Sequence, residues 1–138
     1  SRWASCALLF IDVDQFGRYN KLYGDQAGDV ALQAIAKCLQ ESARATDLVY
    51  RKGGEEFVVI LPHTDFAVAW TVAERMRTNV SLLCIDHAVG GAEGRLSILV
   101  SVATVRPGST VASAVGACGD EAMRAKETGL RGRVIGSP

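Results

Sequence analysis

The feature that most constrains the fold is a nearly all-apolar run, Cys6–Val13, that leads into Asp12-Val13-Asp14. An apolar run of this length without polar alternation is typical of a strand buried on both faces. Carboxylates at the end of such a strand are destabilising unless something pairs with them. We therefore expect a central strand that delivers Asp12 and Asp14 to a polar partner.

The rest of the chain shows alternating helix and strand signals. Stretches with helical spacing are residues 26–43, 65–80 and 111–126, and β-rich runs are residues 48–50, 57–61, 96–105 and 133–135. Gly53-Gly54 between two of the runs predicts a hairpin, and Thr64 or Asp65 is expected to cap the second helix. The order β-α-β-β-α-β-α-β predicts an α/β (α+β) fold, with a central mixed or antiparallel sheet of about five strands flanked by helices.

Composition limits the class of protein. The 138 residues are 49% hydrophobic and 22% charged, which predicts a single globular domain over residues 1–138. The 15 basic residues balance 15 acidic ones. A net charge of zero argues against binding a nucleic-acid polymer or a membrane surface.

Three features of the sequence bear on the cellular location: its apolar runs, its N-terminal residues and its cysteines. No apolar run approaches the roughly 20 residues that a membrane helix needs, and residues 1–5 lack a signal-peptide layout. Four cysteines at irregular spacing predict free buried thiols in a reducing cytoplasm. We expect a cytoplasmic segment cut from something longer, and that longer protein could be membrane-bound.

The first cluster that could carry chemistry is Phe10-Ile11-Asp12-Val13-Asp14. A hard cation is a suitable partner for these acids, because Mg²⁺ takes one or two carboxylates together with substrate phosphates. The alternative is that both acids cap a following helix near residues 15–22.

The second cluster is Arg51-Lys52-Gly53-Gly54-Glu55-Glu56-Phe57. A Gly-Gly turn lets the backbone approach a ligand closely. The two adjacent acids could supply one metal ligand and one polar contact. The alternative is a plain hairpin with solvated acids.

The third cluster runs from Asn20 to Asp29, between the first strand and the long helix. Asn donates and accepts hydrogen bonds, and Asp accepts from paired N–H groups. Guanine offers N1–H and N2–H₂, so Asn20 with Asp29 suits guanine better than adenine. The alternative is that Asp29 only caps the helix.

Taken together, the clusters resemble the GGDEF family of diguanylate cyclases. Asp-x-Asp-x-Phe, Asn, Gly-x-x-x-Gly-Asp and Arg-x-Gly-Gly-Glu-Glu-Phe occur in this order, and Gly-Gly-Glu-Glu-Phe is an accepted variant of the motif that names the family. The resemblance covers essentially the whole chain and extends to Ala125-Lys126-x-x-Gly129. It implies a palm-like fold related to nucleotidyl cyclases, in the C-terminal part of a bacterial second-messenger signalling protein.

The resemblance also implies an activity. Two domains meet antiparallel as a homodimer, each holding one GTP, and each 3′-hydroxyl attacks the α-phosphorus of the facing GTP. Cyclic di-GMP forms and two pyrophosphates leave. Mg²⁺ or Mn²⁺ is the implied cofactor, and cyclic di-GMP is both product and inhibitor.

Roles follow from motif position. The resemblance implies that Asp12 and Glu55 are metal ligands, with the Val13 carbonyl as a third and Asp14 as a lesser candidate. Asp12, Glu55 and Glu56 are the implied catalytic residues, with Glu56 near the ribose or assisting the attacking hydroxyl.

The remaining positions would bind substrate. Asn20 and Asp29 would hold guanine, and Gly53 and Gly54 would let the hairpin wrap the nucleotide. The phosphates would be reached by Lys126 and, with a one-residue insertion after Gly129, by Arg131.

A separate inhibitory site is implied by Arg44-Ala45-Thr46-Asp47, which matches the family's Arg-x-x-Asp pattern. Arg can grip guanine O6 and N7, and Asp can accept from N1–H and N2–H₂. Arg75 matches a further arginine of that site. The alternative is a local surface ion pair.

Several departures from the family pattern leave a rival open. Gly17 follows Phe16 where a phosphate-binding Lys is common, Asp25 replaces a usual His, and Leu130 follows Gly129 unless the chain has an insertion. A domain with fewer cations could act as a GTP or cyclic di-GMP receptor without turnover. A polymerase-like palm acting on nucleic acid is a more remote rival, because the chain has no basic stripe.

Overall fold

The computed structural model describes residues 6–138, so the N-terminal segment of residues 1–5 lies outside the described residues. The elements in chain order are β1 (Cys6–Val13), α1 (Phe16–Tyr23), α2 (Asp25–Ser42), β2 (Leu48–Arg51), β3 (Glu56–Leu61), α3 (Phe66–Ser81), β4 (Ile98–Val105), α4 (Val111–Glu127) and β5 (Val134–Ile135). The five strands form one mixed sheet in the order β2-β3-β1-β4-β5. Only β4 and β5 pair in parallel. The predicted α/β fold with a central sheet flanked by helices is confirmed.

Strand β1 is the centre of the sheet, which explains its unbroken apolar run. Leu9 and Ile11 belong to the core cluster that includes residues of α2 and α3. Leu8 and Phe10 belong to the opposite cluster, which includes residues of α4. Full burial of each such side chain contributes roughly 1.5–3 kcal/mol, so both faces of this strand hold the fold together. The strand therefore gives its end, where Asp12 lies, a fixed position.

Helix α1 is absent from the element order that the sequence predicts. Gly24 ends it with a φ of 94°, and its N–H bonds the Asn20 carbonyl at 2.8 Å. Helix α2 begins at the next residue, so the two helices are separated only by this glycine. A two-turn helix carries too few apolar residues to show a clear period, so the sequence indicates it only in the alternative of a helix near residues 15–22.

The cap of α3 and the state of the cysteines can be compared with the sequence predictions. Asp65 caps α3 by accepting from the Val68 N–H at 2.9 Å. All four cysteines are free, as predicted, but Cys84 is exposed and Cys6 is half-buried. The expectation that all four thiols are buried was therefore wrong. Within residues 6–138 the helices are all too short or too polar to span a bilayer.

Candidate active site

The first two sequence clusters meet at the end of β1. The β2–β3 hairpin lies on one side of this end, the start of α1 follows it, and the last turns of α4 lie across from it. Between them is a cavity of about 280 Å³, lined by Asp12, Gln15, Glu56, Gly119, Met123, Lys126 and Glu127. The fold thus brings the first two clusters together with Lys126.

Asp12 is the most perturbed carboxylate of this site. It is only 6% exposed, and its Oδ1 accepts from the Lys126 ammonium at 3.0 Å. Burial raises its pKa to about 6, Lys126 opposes that rise, and the nearby charges of Glu55 and Glu56 add to it. Asp12 therefore lies in a site with excess negative charge, which a further cation would stabilise.

Asp14 is held by two protein donors at one of its carboxylate oxygens. Its Oδ2 accepts from the Ser97 hydroxyl at 2.6 Å and from the Gly132 N–H at 2.7 Å. The residue is 2% exposed, and burial raises the pKa of its carboxyl group. These contacts tie the end of β1 to the start of β4 and the approach to β5. We therefore assign Asp14 a structural role.

The two acids also do not cap α1, as the alternative reading required. The residue before this helix is Gln15, and no side chain caps its first turn. Asp12 and Asp14 instead make the contacts described above.

The Gly-Gly turn is closed by its own arginine. The Arg51 guanidinium donates through Nε to the Gly53 and Gly54 carbonyls at 3.0 Å each, and through Nη2 to Gly54 at 2.6 Å. The next residue, Glu55, bonds the Val13 N–H through its carbonyl at 3.1 Å. The predicted hairpin is confirmed, and it carries Glu55 to the end of β1.

The two hairpin acids are half-buried and not fully solvated. Glu56 lies opposite Asp12 in the β1–β3 register. A Cβ on Gly53 would lie 3.1 Å from Glu56 Oε1, so a larger residue at this turn would crowd that carboxylate. The plain-hairpin alternative does not describe this arrangement.

The donor set suits a cation that is shared with a substrate. Within residues 6–138 no group of three or more His, Cys, Asp or Glu side chains is arranged to enclose a metal ion. Asp12 and Glu55 offer two carboxylates next to the Val13 peptide. Mg²⁺ is commonly held by one or two carboxylates plus substrate phosphates, so these residues fit it.

Asn20 and Asp29 lie on neighbouring helices. Asn20 Oδ1 is buried in α1 without a hydrogen-bond partner among the described residues. Gly28 of α2 faces it, and a Cβ there would overlap Asn20 Oδ1. Asp29 is exposed and lies next to Gly28, well inside α2, which begins after Gly24 and has no side-chain cap. Asp29 is therefore not the cap of this helix, and its exposed carboxylate lies one residue from the glycine that packs against Asn20 Oδ1.

The two cations expected at the phosphates lie apart. Lys126 lines the cavity. Arg131 does not line it, and its Nη1 donates to the Gly91 carbonyl at 3.4 Å. The backbone turns between them at Gly129, whose φ is 83°. The structure thus brings one of the two expected cations to the cavity.

Several cavity residues were not found from the sequence. Gln15 occupies an unspecified position of Asp-x-Asp-x-Phe and carries no signal of its own. Gly119 lets α4 approach the sheet, since a Cβ there would be 3.3 Å from the Phe10 ring. Met123 and Glu127 line the cavity because they follow Gly119 at helical spacing.

The proposed inhibitory residues gather at the C-terminal end of α2. Arg44 Nε donates to the Asp47 carboxylate at 3.0 and 3.1 Å, and Arg44 Nη2 donates to it at 2.8 Å. The Asp47 side chain is 0% exposed, whereas that of Arg44 is 34% exposed. Arg75 donates to the Ser42 carbonyl at 2.7 and 3.0 Å. In this conformation Arg44 and Asp47 form the local ion pair, and any ligand at Asp47 must compete with it.

Comparison with known proteins identifies the family. A family profile described as "Diguanylate cyclase, GGDEF domain" matches residues 2–132. Diguanylate cyclase DgcM of Escherichia coli strain K12 is 37% identical over 129 residues, covering 94% of this chain and 30% of the relative. Response regulator PleD of Caulobacter vibrioides is 38% identical over 129 residues, covering 93% of this chain and 28% of the relative. The chain thus spans less than a third of these relatives.

Solved structures agree with this fold. The GGDEF domain of DgcB from Caulobacter crescentus, in complex with c-di-GMP, has a TM-score of 0.83 at 26% identity, covering 96% of this chain and 77% of that one. Diguanylate cyclase SiaD from Pseudomonas aeruginosa, in complex with its activator SiaC, has a TM-score of 0.81 at 31% identity, covering 96% and 50%. With the motifs and the fold in agreement, this chain belongs to the GGDEF domain family of diguanylate cyclases.

Proposed function

We propose that this domain condenses two GTP molecules into cyclic di-GMP and two pyrophosphates, acting as an antiparallel homodimer with Mg²⁺ or Mn²⁺. The observation that carries the proposal is the buried Asp12, at a cavity that Glu56 and Lys126 also line, with Glu55 near enough for its charge to raise the Asp12 pKa. The relatives that are named diguanylate cyclases support the same activity.

Binding of the triphosphate is supported by the start of α1. Gln15 lines the cavity, and the first turn of α1 has neither a side-chain cap nor an acidic residue. Unpaired N–H groups at a helix start attract anions, and the helix dipole adds to that attraction. This anion site could compensate for the absence of a lysine after Phe16.

Binding of the base is supported by the spacing along α1. Asn20 lies five residues after Gln15, which is about 7.5 Å of helix rise. That separation suits a nucleotide whose phosphates lie at the start of α1 and whose base reaches Asn20 and Asp29. Guanine would supply donors to the Asp29 carboxylate and, once the Asn20 side chain turns outward from Gly28, to its amide oxygen.

Asp12, Glu55 and the Val13 carbonyl would hold the divalent cation. When bound, that cation neutralises phosphate charge during the displacement. Lys126 now pairs with Asp12, and it could turn to the phosphates once a second cation shares that carboxylate. Most of the catalysis would come from positioning and charge neutralisation.

Glu56 is placed to act on the ribose or on the attacking hydroxyl. It lines the cavity opposite Asp12 and is half-buried. Because each domain would hold one GTP, closing the two phosphodiester bonds requires a second copy facing the first.

The receptor alternative is less well supported. Asp12 lines the cavity and Glu55 lies near Asp12, and relatives matched over most of this chain are named as cyclases. The free thiols and the proposed use of GTP favour a cytoplasmic location for this segment.

The proposal is tested by the product. The domain is incubated with GTP and Mg²⁺, and the nucleotides are identified by mass spectrometry, with ATP as the matched control substrate. We expect cyclic di-GMP from GTP and no cyclic dinucleotide from ATP. Tight cyclic di-GMP binding without any synthesis would support the receptor function instead.

Substitution of Gly28 tests the guanine site. In the Gly28→Ala variant the new Cβ would displace the Asn20 amide. We expect the affinity for GTP to fall about tenfold, since one or two hydrogen bonds to the base would be lost. The measurement is nucleotide titration followed by calorimetry. The matched control is Gly116→Ala on α4, where a Cβ meets nothing within 4 Å. Equal GTP affinity in the two variants would contradict this site.

Substitution of Arg44 tests the inhibitory site. We expect the Arg44→Ala variant to keep its initial rate with GTP but to lose inhibition by added cyclic di-GMP. It should also melt at a lower temperature, because the Asp47 carboxylate stays buried without its partner, a loss of about 1–3 kcal/mol. Arg77→Ala, which breaks the other i,i+3 ion pair, on α3, is the control and should stay inhibited. Retained inhibition in Arg44→Ala would refute this assignment.

A further inference from the structure

His87 contacts the backbone at the rim of the cavity without lining it. The residue lies between α3 and β4, its exposure is 0%, and its Nε2 is 3.0 Å from the Gln15 carbonyl. A carbonyl oxygen only accepts, so Nε2 carries the proton and donates. Nδ1 is buried without a partner among the described residues. The bond to Gln15 is therefore the hydrogen bond that this ring makes there.

Gln15 is the point at which the chain turns from β1 into α1. Its φ is 51°, in the left-handed region that non-glycine residues seldom adopt. Its carbonyl also accepts from the Tyr19 N–H at 3.0 Å, the first helical bond of α1. The His87 bond thus fixes the peptide at which α1 begins, and the Gln15 side chain lines the cavity.

The surroundings of His87 hold the ring in one orientation. Tyr19 meets it edge-on at 5.4 Å between centroids, and Tyr23 at 6.3 Å. The Tyr23 hydroxyl accepts from the Ala88 N–H at 3.0 Å. A Cβ on Gly90 would lie 2.7 Å from both His87 Nε2 and Gln15 Cβ. Only a glycine there lets the ring and Gln15 come together.

We propose that His87 is a positioning residue for nucleotide binding. Through its bond to Gln15 it holds the first turn of α1 and the Gln15 side chain against the cavity. The inference rests on the proposed function, because it takes the occupant of this cavity to be the triphosphate of GTP. No sequence motif marks His87, since it acts through a backbone carbonyl 72 residues away in the chain.

Two substitutions separate the hydrogen bond from the packing. His87→Phe keeps a flat ring against Tyr19 and Tyr23 but removes the donor. His87→Gln restores an N–H at a comparable distance from the backbone. The probe is 3′-deoxy-GTP with Mg²⁺, which lacks the attacking hydroxyl and cannot turn over. We expect its Kd to rise about fivefold to tenfold in His87→Phe and to stay within about twofold of the parent protein in His87→Gln.

Hydrogen exchange gives a readout that does not depend on nucleotide. The amides of α1 from Tyr19 onward, which make its helical hydrogen bonds, should exchange faster in His87→Phe than in His87→Gln, while those of α4 should be unchanged. If the parent protein binds no 3′-deoxy-GTP but α1 still loosens in His87→Phe, the proposed function fails although the contact between His87 and Gln15 stands.

Other outcomes would overturn the inference. One is an unchanged Kd for 3′-deoxy-GTP in His87→Phe. Another is an equal rise of this Kd in His87→Phe and His87→Gln, which would indicate that the ring acts through packing alone. If His87→Phe does not fold, Gly90→Ala keeps the imidazole and pushes it away from Gln15. The Kd should then rise to a similar extent, and an unchanged value would also contradict the inference.

Discussion

Replacing Glu55 by Gln is expected to abolish cyclic di-GMP synthesis, with a loss of about three orders of magnitude or more. The amide keeps the size of the side chain, so the Arg51-closed turn should persist. It removes one of the two carboxylates available to the cation, and with it much of the charge neutralisation at the phosphates. Initial rates of product formation, measured by chromatography, give the size of the loss.

The Glu55→Gln variant should still bind cyclic di-GMP, because Arg44 and Asp47 follow the C-terminal end of α2 and do not line the cavity. Glu74→Gln on α3 is the matched control, since its acid pairs with Arg77 away from the cavity. It should keep its rate within about twofold. A Glu55→Gln protein that retains synthesis would contradict the assignment of Glu55 as a ligand.

Replacing Asp12 by Asn is expected to remove synthesis and, in the absence of nucleotide, to stabilise the fold. Burial raises the Asp12 pKa to about 6 despite the Lys126 ammonium, so the charged form is disfavoured in the folded state. At pH 8 the neutral amide should raise the free energy of unfolding by about 1–3 kcal/mol. The change would show that a charge needed for function lowers stability.

The stabilisation by Asp12→Asn should increase with pH. The Asp12 carboxyl has its ordinary pKa of 3.8 in the unfolded chain and a pKa of about 6 in the folded protein. Between these values the folded state binds more protons, so the stability of the parent protein falls as pH rises through this window. Denaturant unfolding gives the free energy of unfolding of the variant and the parent from pH 4 to 8. The two free energies should be similar at pH 4, and the difference between them should grow until about pH 6–7. A variant that is less stable than the parent at pH 8 would refute this account.

The central strand and the hairpin could be predicted because their signals are local. The apolar run of β1 requires cover on both faces, and Gly53-Gly54 between two β-rich runs requires a turn. The approach of Asp12 to the hairpin then follows from the antiparallel pairing of β1 and β3. Those two facts are enough to place the acids at one end of the sheet.

Other features depend on contacts between distant segments, which a single sequence does not display. Asp14 resembles a ligand in the motif, yet Ser97 and Gly132 both donate to its Oδ2. Arg131 matches a phosphate-binding position only with an insertion, and the turn after Gly129 takes it to Gly91. Gln15 and His87 are joined by a backbone carbonyl, for which no residue type is diagnostic.

The measurement that tests the central claim most directly is the rate of cyclic di-GMP formation across a dilution series of the domain. GTP and Mg²⁺ are held constant, and product is quantified by mass spectrometry. If synthesis needs two facing domains, the rate of cyclic di-GMP formation should rise more steeply than linearly with protein concentration. A strictly linear rate down to the lowest concentrations would contradict synthesis between weakly associated copies, and a product other than cyclic di-GMP would contradict the proposed reaction itself.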